Sequence, residues 1–281
     1  VNNLLREGFP RERILIVKGG TAEIEGCRCV PDIAAIPDRV DLFVLCVDAA
    51  QASAALVEII EREIAESVVL IPGGLEEKAG SQAIVDRMHA ALARSRGSAW
   101  GGPVINGGNC LGIRSVPGRY DTTFIPEYKL PVPKGAPSRL AIISQSGAFA
   151  VSKASKLGTV NPKYAVTLGN QMDLTVGDYL TYLKDDAGID LFAVYVEGFR
   201  PLDALRFLMA ARAITSQGRT VILYRAGRTP AGAQASASHT ASIAGDYAVM
   251  RALCEHAGVL VADSLDDFED LVVLFSALGR R

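Results

Sequence analysis

From Leu191 to Arg225 the chain reads LFAVYVEGFRPLDALRFLMAARAITSQGRTVILYR. The apolar run Leu191–Val196 ends on Glu197-Gly198, a helix-length amphipathic stretch follows over Leu202–Gln217, and a second strand-like run occupies Thr220–Tyr224. Apolar runs of strand length without alternation belong to strands buried on both faces, and a helix between two of them makes the pair parallel. The same unit repeats on both sides. Strands are expected near Ile14–Val17, Leu42–Val47, Ser67–Ile71, Pro103–Ile105, Leu140–Ser144, Tyr164–Leu168 and Val259–Val261. Helices are expected near Ala49–Glu66, Ser81–Arg96, Gly147–Leu157, Val176–Lys184, Ala244–His256 and Leu265–Leu278. The class is therefore α/β, with two doubly wound parallel-sheet domains.

Pro117, Pro126, Pro131, Pro133 and Pro137, with Gly118 and Gly135, interrupt the alternation. Proline density of this kind disfavours regular structure and marks a linker. The expected division is a first domain over residues 1–125, a linker over 126–138 and a second domain over 139–281. Two domains also suit 281 residues, since single cores seldom grow past roughly 200. The chain opens on Val1, and Asn2 onward reads as the tail of a helix, so a longer protein is expected.

With 29 basic and 31 acidic side chains, the chain lacks the basic excess that nucleic-acid or membrane-surface binding needs. No apolar run reaches membrane-spanning length and no signal peptide is apparent. The five cysteines are odd in number. Cys27 and Cys29 form a C-x-C pair that no second pair or nearby histidine completes, so no metal site is expected. Reduced thiols and a cytoplasmic setting are the expectation.

Ligands of open parallel sheets bind beyond the carboxyl ends of the strands. In the second half those ends run into Ser144-Gln145-Ser146-Gly147, Gly169-Asn170-Gln171-Met172-Asp173, Glu197-Gly198, and the long loop Arg225–Ala241 that contains Ser238-His239-Thr240. Parallel topology puts all four clusters on one rim. The first opens a helix, whose free amides and dipole favour a phosphate, although Ser146 as a plain N-cap explains it equally. The His239 loop is built of small residues, and long loops inside compact domains are usually functional. A lone loop histidine commonly has no task, but Glu197 on the same rim is a carboxylate that can fix one imidazole nitrogen and leave the other nucleophilic. In the first half, Lys18-Gly19-Gly20, Val47-Asp48-Ala49-Ala50 and Gly73-Gly74 follow strands and form a second rim suited to a nucleotide with phosphates. The G-x-G-x-x-G fingerprint is absent.

Several stretches now make a pattern. Asn106-Gly107-Gly108-Asn109-Cys110-Leu111-Gly112, Ser144-Gln145-Ser146-Gly147-Ala148, Leu168-Gly169-Asn170, Tyr195-Val196-Glu197-Gly198 and Ser238-His239-Thr240, with Ala244-Gly245 after it, resemble in kind and order the NDP-forming acyl-CoA synthetases. These include the ADP-forming acetate–CoA ligases and, more distantly, the succinyl-CoA synthetase α subunit. The resemblance implies a Rossmann-like CoA-binding domain followed by a flavodoxin-like ligase domain. It implies His239 as the phosphorylated residue, Glu197 as its orienter, and Ser146, Gly147 and Ala148 as the phosphate-binding helix start. Lys18, Val47, Asp48, Ala49, Ala50, Gly73, Gly74 and Asn109 would contact coenzyme A. ATP or ADP, with Mg, would bind an ATP-grasp partner subunit or domain, and the whole would be an oligomer acting on a small carboxylic acid or acyl-CoA and phosphate. Two departures stand out: Gly108 replaces the proline of the family's G-P-N-C, and Ala241-Ser242 follow Thr240 where the family has Gly-Ala. The rival readings are a non-catalytic sensor module and a plain CoA- or nucleotide-binding scaffold.

Overall fold

The computed structural model describes residues 1–129, 131, 133, 135–147, 160–227 and 247–278. A short helix, α1 (Asn2–Arg6), leads into β1 (Leu15–Val17), β2 (Glu23–Ile24) and β3 (Cys27–Val30). β3 pairs parallel with β1 and antiparallel with β2. The β2–β3 hairpin escapes the apolar-run reading because its strands are short and half polar. Its turn is Glu25-Gly26, both at positive φ (51° and 74°), where a glycine serves the second position without strain.

A separate parallel sheet follows: β4 (Val40–Leu45), β5 (Ala65–Leu70) and β6 (Val104–Gly107), in that spatial order. Helices α2 (Ala49–Glu61) and α3 (Gln82–Arg96) cover one face, where Leu56, Ile59, Met88 and Leu92 pack on Leu45, Val68, Leu70 and Ile105. The expected helix to Glu66 stops at Glu61. Glu63 turns left-handed at φ 55°, and Ala65 already begins β5. The other face carries Leu42, Val44, Val69 and Ile71 and borders a cavity of about 1500 Å³, which Tyr164, Val166 and Tyr179 line from the second half.

The larger sheet has the order β13-β12-β11-β9-β10-β7-β8. Its members are β7 (Ile113–Ser115), β8 (Tyr120–Asp121), β9 (Ser138–Ser144), β10 (Pro162–Thr167), β11 (Leu191–Val196), β12 (Thr220–Arg225) and β13 (Leu260–Val261). The five strands from β13 to β10 are parallel, and β7 and β8 add an antiparallel edge. Residues 113–121, which precede the expected linker at 126–138, thus hydrogen-bond into the second sheet through Tyr164↔Ser115 and Val166↔Ile113. A boundary placed by prolines at 126–138 does not coincide with that sheet's edge.

Both faces of the large sheet are buried, which is why its strands read as unbroken apolar runs. Ala141, Ile143, Phe192, Val194, Val196, Val221 and Leu223 point to one side. There α4 (Val176–Leu183), α5 (Asp203–Thr215) and α6 (Tyr247–His256) supply Leu180, Phe207, Ile214 and Cys254. Leu140, Ile142, Leu191, Ala193 and Ile222 point to the other, against Phe268 and Val272 of α7 (Leu265–Leu278). The start of α4 is closed by a capping box of Thr175 and Asp178. The buried Asp203 also accepts from the Thr175 hydroxyl (2.5 Å) and the Gly177 amide (3.1 Å).

The two halves share backbone hydrogen bonds. After β10 the chain runs back past β6: the amides of Asn170, Met172 and Leu174 donate to the carbonyls of Gly108, Gly107 and Ile105 at 2.7, 2.7 and 3.0 Å. Asp173 accepts from Arg96 (2.7 Å) and from the Ile105 amide (2.9 Å). Gly169 sits in this crossing at φ +58°, and a Cβ there would fall 2.0 Å from the Gly108 carbonyl oxygen. Glycine is required by both the conformation and the close approach.

Candidate functional site

On the second-domain rim, Gln145 is the organising residue. It is buried, and its backbone amide continues the β9–β11 ladder to the Tyr195 carbonyl (2.9 Å), while its own carbonyl accepts from the Gly169 amide (3.1 Å). Its side-chain oxygen accepts the amides of Glu197 (2.8 Å) and Gly198 (3.2 Å). The Ser144 hydroxyl donates to the Ser146 carbonyl at 2.7 Å. Three of the four expected clusters, after β9, β10 and β11, are therefore held together by one glutamine. Nothing in the sequence marks Gln145 for this role. A polar residue between two serines carries no periodic signal, and only burial at the strand end shows what it does.

Glu197 is half-buried just beyond β11. Burial first, and then the charge of Glu197, raise the Tyr195 phenol above its ordinary value. Gly147 lies against Leu111: a Cβ on it would stand 2.5 Å from Leu111 Cγ. The position is tight on the side of the first half of the chain. Ala148, the expected helix Gly147–Leu157 beyond its first residue, and the His239 loop lie outside the described residues.

The expected first-domain rim is only partly gathered. Val47 to Ala50 follow β4, Gly73-Gly74 follow β5, and these strands are neighbours. Ala49 Cβ lies 3.6 Å from the place a Cβ would take on Gly74 (φ +83°), and Asn109 Oδ1 lies 2.9 Å from the same place on Gly73. The Asn109 amide donates to the Pro72 carbonyl at 2.9 Å. Asp48 acts as the α2 N-cap, accepting from the Gln51 amide at 2.9 Å, so its carboxylate already occupies part of that helix start. Lys18 is exposed and follows β1, which belongs to a different sheet. The expectation of one common rim treated β1 as a member of the β4–β5–β6 sheet. Hydrogen bonding, which apolar runs do not reveal, separates them.

Sequence reading missed the residues that bridge the two rims. Glu76 and Glu77, after β5, face the second half. Glu76 binds His89 Nε2 (3.0 Å) and the Arg200 guanidinium, and Arg200 also donates to the carbonyls of Gln171 (3.1 Å) and Asn170. Burial works to raise the Glu76 carboxyl, but His89 and Arg200 outweigh it, and the group ends below its ordinary value. Glu77 accepts from the Gly74 amide with one oxygen and from Asn170 Nδ2 (2.5 Å) with the other. Gln171 Nε2 in turn donates to the Gly198 carbonyl at 3.2 Å. Burial pushes the thiol of Cys110, between the halves, up to about 12, which disfavours the reactive thiolate.

Residues 1–115 match the CoA binding domain family and residues 137–275 the succinyl-CoA ligase-like flavodoxin domain family. The chain is 33% identical over 254 residues to the ADP-forming acetate–CoA ligase I of Archaeoglobus fulgidus, covering 90% of this chain and 35% of that protein. It is 31% identical to the α subunit of the ADP-forming acetate–CoA ligase I of Pyrococcus furiosus, covering 96% of this chain and 56% of the subunit. A solved structure of acetyl-coenzyme A synthetase 1 from Ca. Korarchaeum cryptofilum, in complex with phosphate and ADP, superposes with a TM-score of 0.82 at 28% identity, over 96% of this chain and 55% of that one. The chain thus spans between about a third and just over half of the length of these relatives.

Proposed function

We propose, since the chain belongs to the NDP-forming acyl-CoA synthetase family, that it is the CoA-binding and phosphoryl-carrying part of such an enzyme, working with an ATP-grasp partner that holds ADP or ATP with Mg. The observation that carries the reading is the Gln145 clasp: it draws the Ser144–Gly147 turn and Glu197 into one rim, at the carboxyl edge of a parallel sheet.

In the acyl-CoA-consuming direction, a phosphate oxygen attacks the thioester carbonyl, the C–S bond breaks, and coenzyme A leaves with a proton as the free thiol. The acyl phosphate then loses its phosphoryl group to an imidazole nitrogen of His239: an N–P bond forms, the P–O bond breaks, and the carboxylate departs. Phosphohistidine passes the phosphoryl group to ADP on the partner. The protein's contribution is positioning and charge stabilisation. Ser146, Gly147 and Ala148 are the proposed phosphate contacts, and Glu197 is the proposed partner that fixes the imidazole tautomer. Lys18, Val47 to Ala50, Gly73-Gly74 and Asn109 are the proposed CoA contacts. Asp48 contributes its cap to α2, not a contact to a phosphate.

The test is phosphoenzyme formation from labelled acetyl phosphate, or from ATP with the partner present. An acid-labile label that disappears in His239→Ala is the expected result. Equal labelling of the variant overturns the assignment, and no labelling of the parent chain favours the non-catalytic sensor.

A further inference from the structure

The Glu77 carboxylate closes the Gly73-Gly74 turn. Its Oε1 accepts the Gly74 amide and lies 3.0 Å from the place a Cβ would take on Gly73. A turn without side chains, with an amide pointing outward, is a place where backbone approaches an oxyanion closely. Here that amide is satisfied by a carboxylate from the same loop. The other oxygen, Oε2, holds Asn170 Nδ2 at 2.5 Å, across 93 positions of sequence. The Asn170 amide is tied to the Gly108 carbonyl, its carbonyl to Arg200, and the next residue, Gln171, to the Gly198 carbonyl beside Glu197. One carboxylate therefore joins the glycine turn of the first half to the rim of the second.

We propose that Glu77 is a displaceable positioning residue that couples the two rims: a phosphate of the bound thiol cofactor competes with its carboxylate for the Gly74 amide, and its departure releases the Asn170-Gln171 turn beside Glu197. The proposal rests on the reading that Gly73-Gly74 line the CoA cleft. It assigns Glu77 a role opposite to that of an ordinary turn cap. Removing a cap weakens a site, whereas removing a competing anion strengthens it. Binding at one rim then becomes a change in the held geometry at the other, through side chains with two alternative partners.

Coenzyme A is titrated into the full chain, its affinity measured by calorimetry and the amide resonances of Gly74, Gly169, Asn170 and Gln171 followed by NMR. In the parent all four shift on binding. Glu77→Gln removes the competing charge and is expected to bind coenzyme A about five-fold tighter, the order of the net contribution of one ordinary hydrogen bond, while the shifts at Asn170 and Gln171 vanish. Glu77→Asp keeps the charge but is one methylene too short to bridge, so affinity stays near the parent's and the Asn170 shift is still lost. A folded Glu77→Gln with weaker or equal affinity, or with an unchanged Asn170 shift, overturns the proposal. If the parent binds no coenzyme A, or binds it without moving Gly74, the cleft assignment itself falls and the coupling with it.

Discussion

The side-chain oxygen of Gln145 takes the backbone amide of Glu197 at 2.8 Å, so the residue proposed to orient the histidine has its backbone held by the turn proposed to bind the phosphate. The same oxygen takes the Gly198 amide. Gln145→Leu keeps the volume but leaves both amides without this acceptor, at about 1–3 kcal/mol for each one that stays buried. A loss of roughly 2–3 kcal/mol in urea denaturation is expected. Phosphoenzyme formation should fall more than the unfolded fraction explains.

Glu197→Gln tests the orienting role separately. The backbone bond to Gln145 survives, because it uses the amide and not the carboxylate. Phosphoenzyme formation should drop on the order of 100-fold, as for other groups that act on a catalytic imidazole, with coenzyme A affinity unchanged. Weakened coenzyme A binding with normal phosphoryl transfer would contradict the assignment.

Crowding at Gly147 is expected to read as packing first. A Cβ there meets Leu111 Cγ at 2.5 Å, so Gly147→Val disturbs the contact between the halves as well as any anion site. The expected cost is about 1–3 kcal/mol of overpacking. Combining it with Leu111→Ala should recover part of that stability. Phosphate affinity measured in the double variant then reports on the site itself.

Gly169→Ala carries a larger penalty. The residue is left-handed at φ +58°, and its Cβ would lie 2.0 and 2.4 Å from the carbonyl oxygens of Gly108 and Asn109. Backbone strain and overpacking each cost about 1–3 kcal/mol, so a loss near 3 kcal/mol or failure to fold is expected from thermal unfolding.

The pH dependence follows from Glu76. Its folded pKa lies below the ordinary 4.5, so its contribution to stability is present above that value and is lost as pH falls through the lowered one. The stability difference between the parent and Glu76→Gln should therefore shrink as urea denaturation is repeated from pH 5.5 down to pH 3. Asp203 has the opposite sign. Burial raises its pKa, so its contribution is greatest below the unfolded value and declines as pH rises through the folded one. A parent–variant difference that grows on acidification for Glu76→Gln would refute its pairing with Arg200 and His89.

The five parallel strands of the large sheet were legible in the sequence because burial on both faces leaves a local mark: Leu191–Val196 and α7 at Leu265–Leu278 have the bounds that their apolar patterns set. Parallel connectivity then placed Ser144-Gln145, Gly169-Asn170 and Glu197 at one edge, since every such strand ends on the same side. The tertiary structure alone decided that residues 113–115 pair with β10, that β1 stands apart from the β4–β5–β6 sheet, and that Gln145, Glu77 and Arg200 bind the rims together. Those partners lie between 52 and 124 positions apart. A polar side chain has no period to betray its partner. Its acceptor is chosen by which backbone groups packing leaves buried and unpaired, and that is settled only once the two sheets are in place.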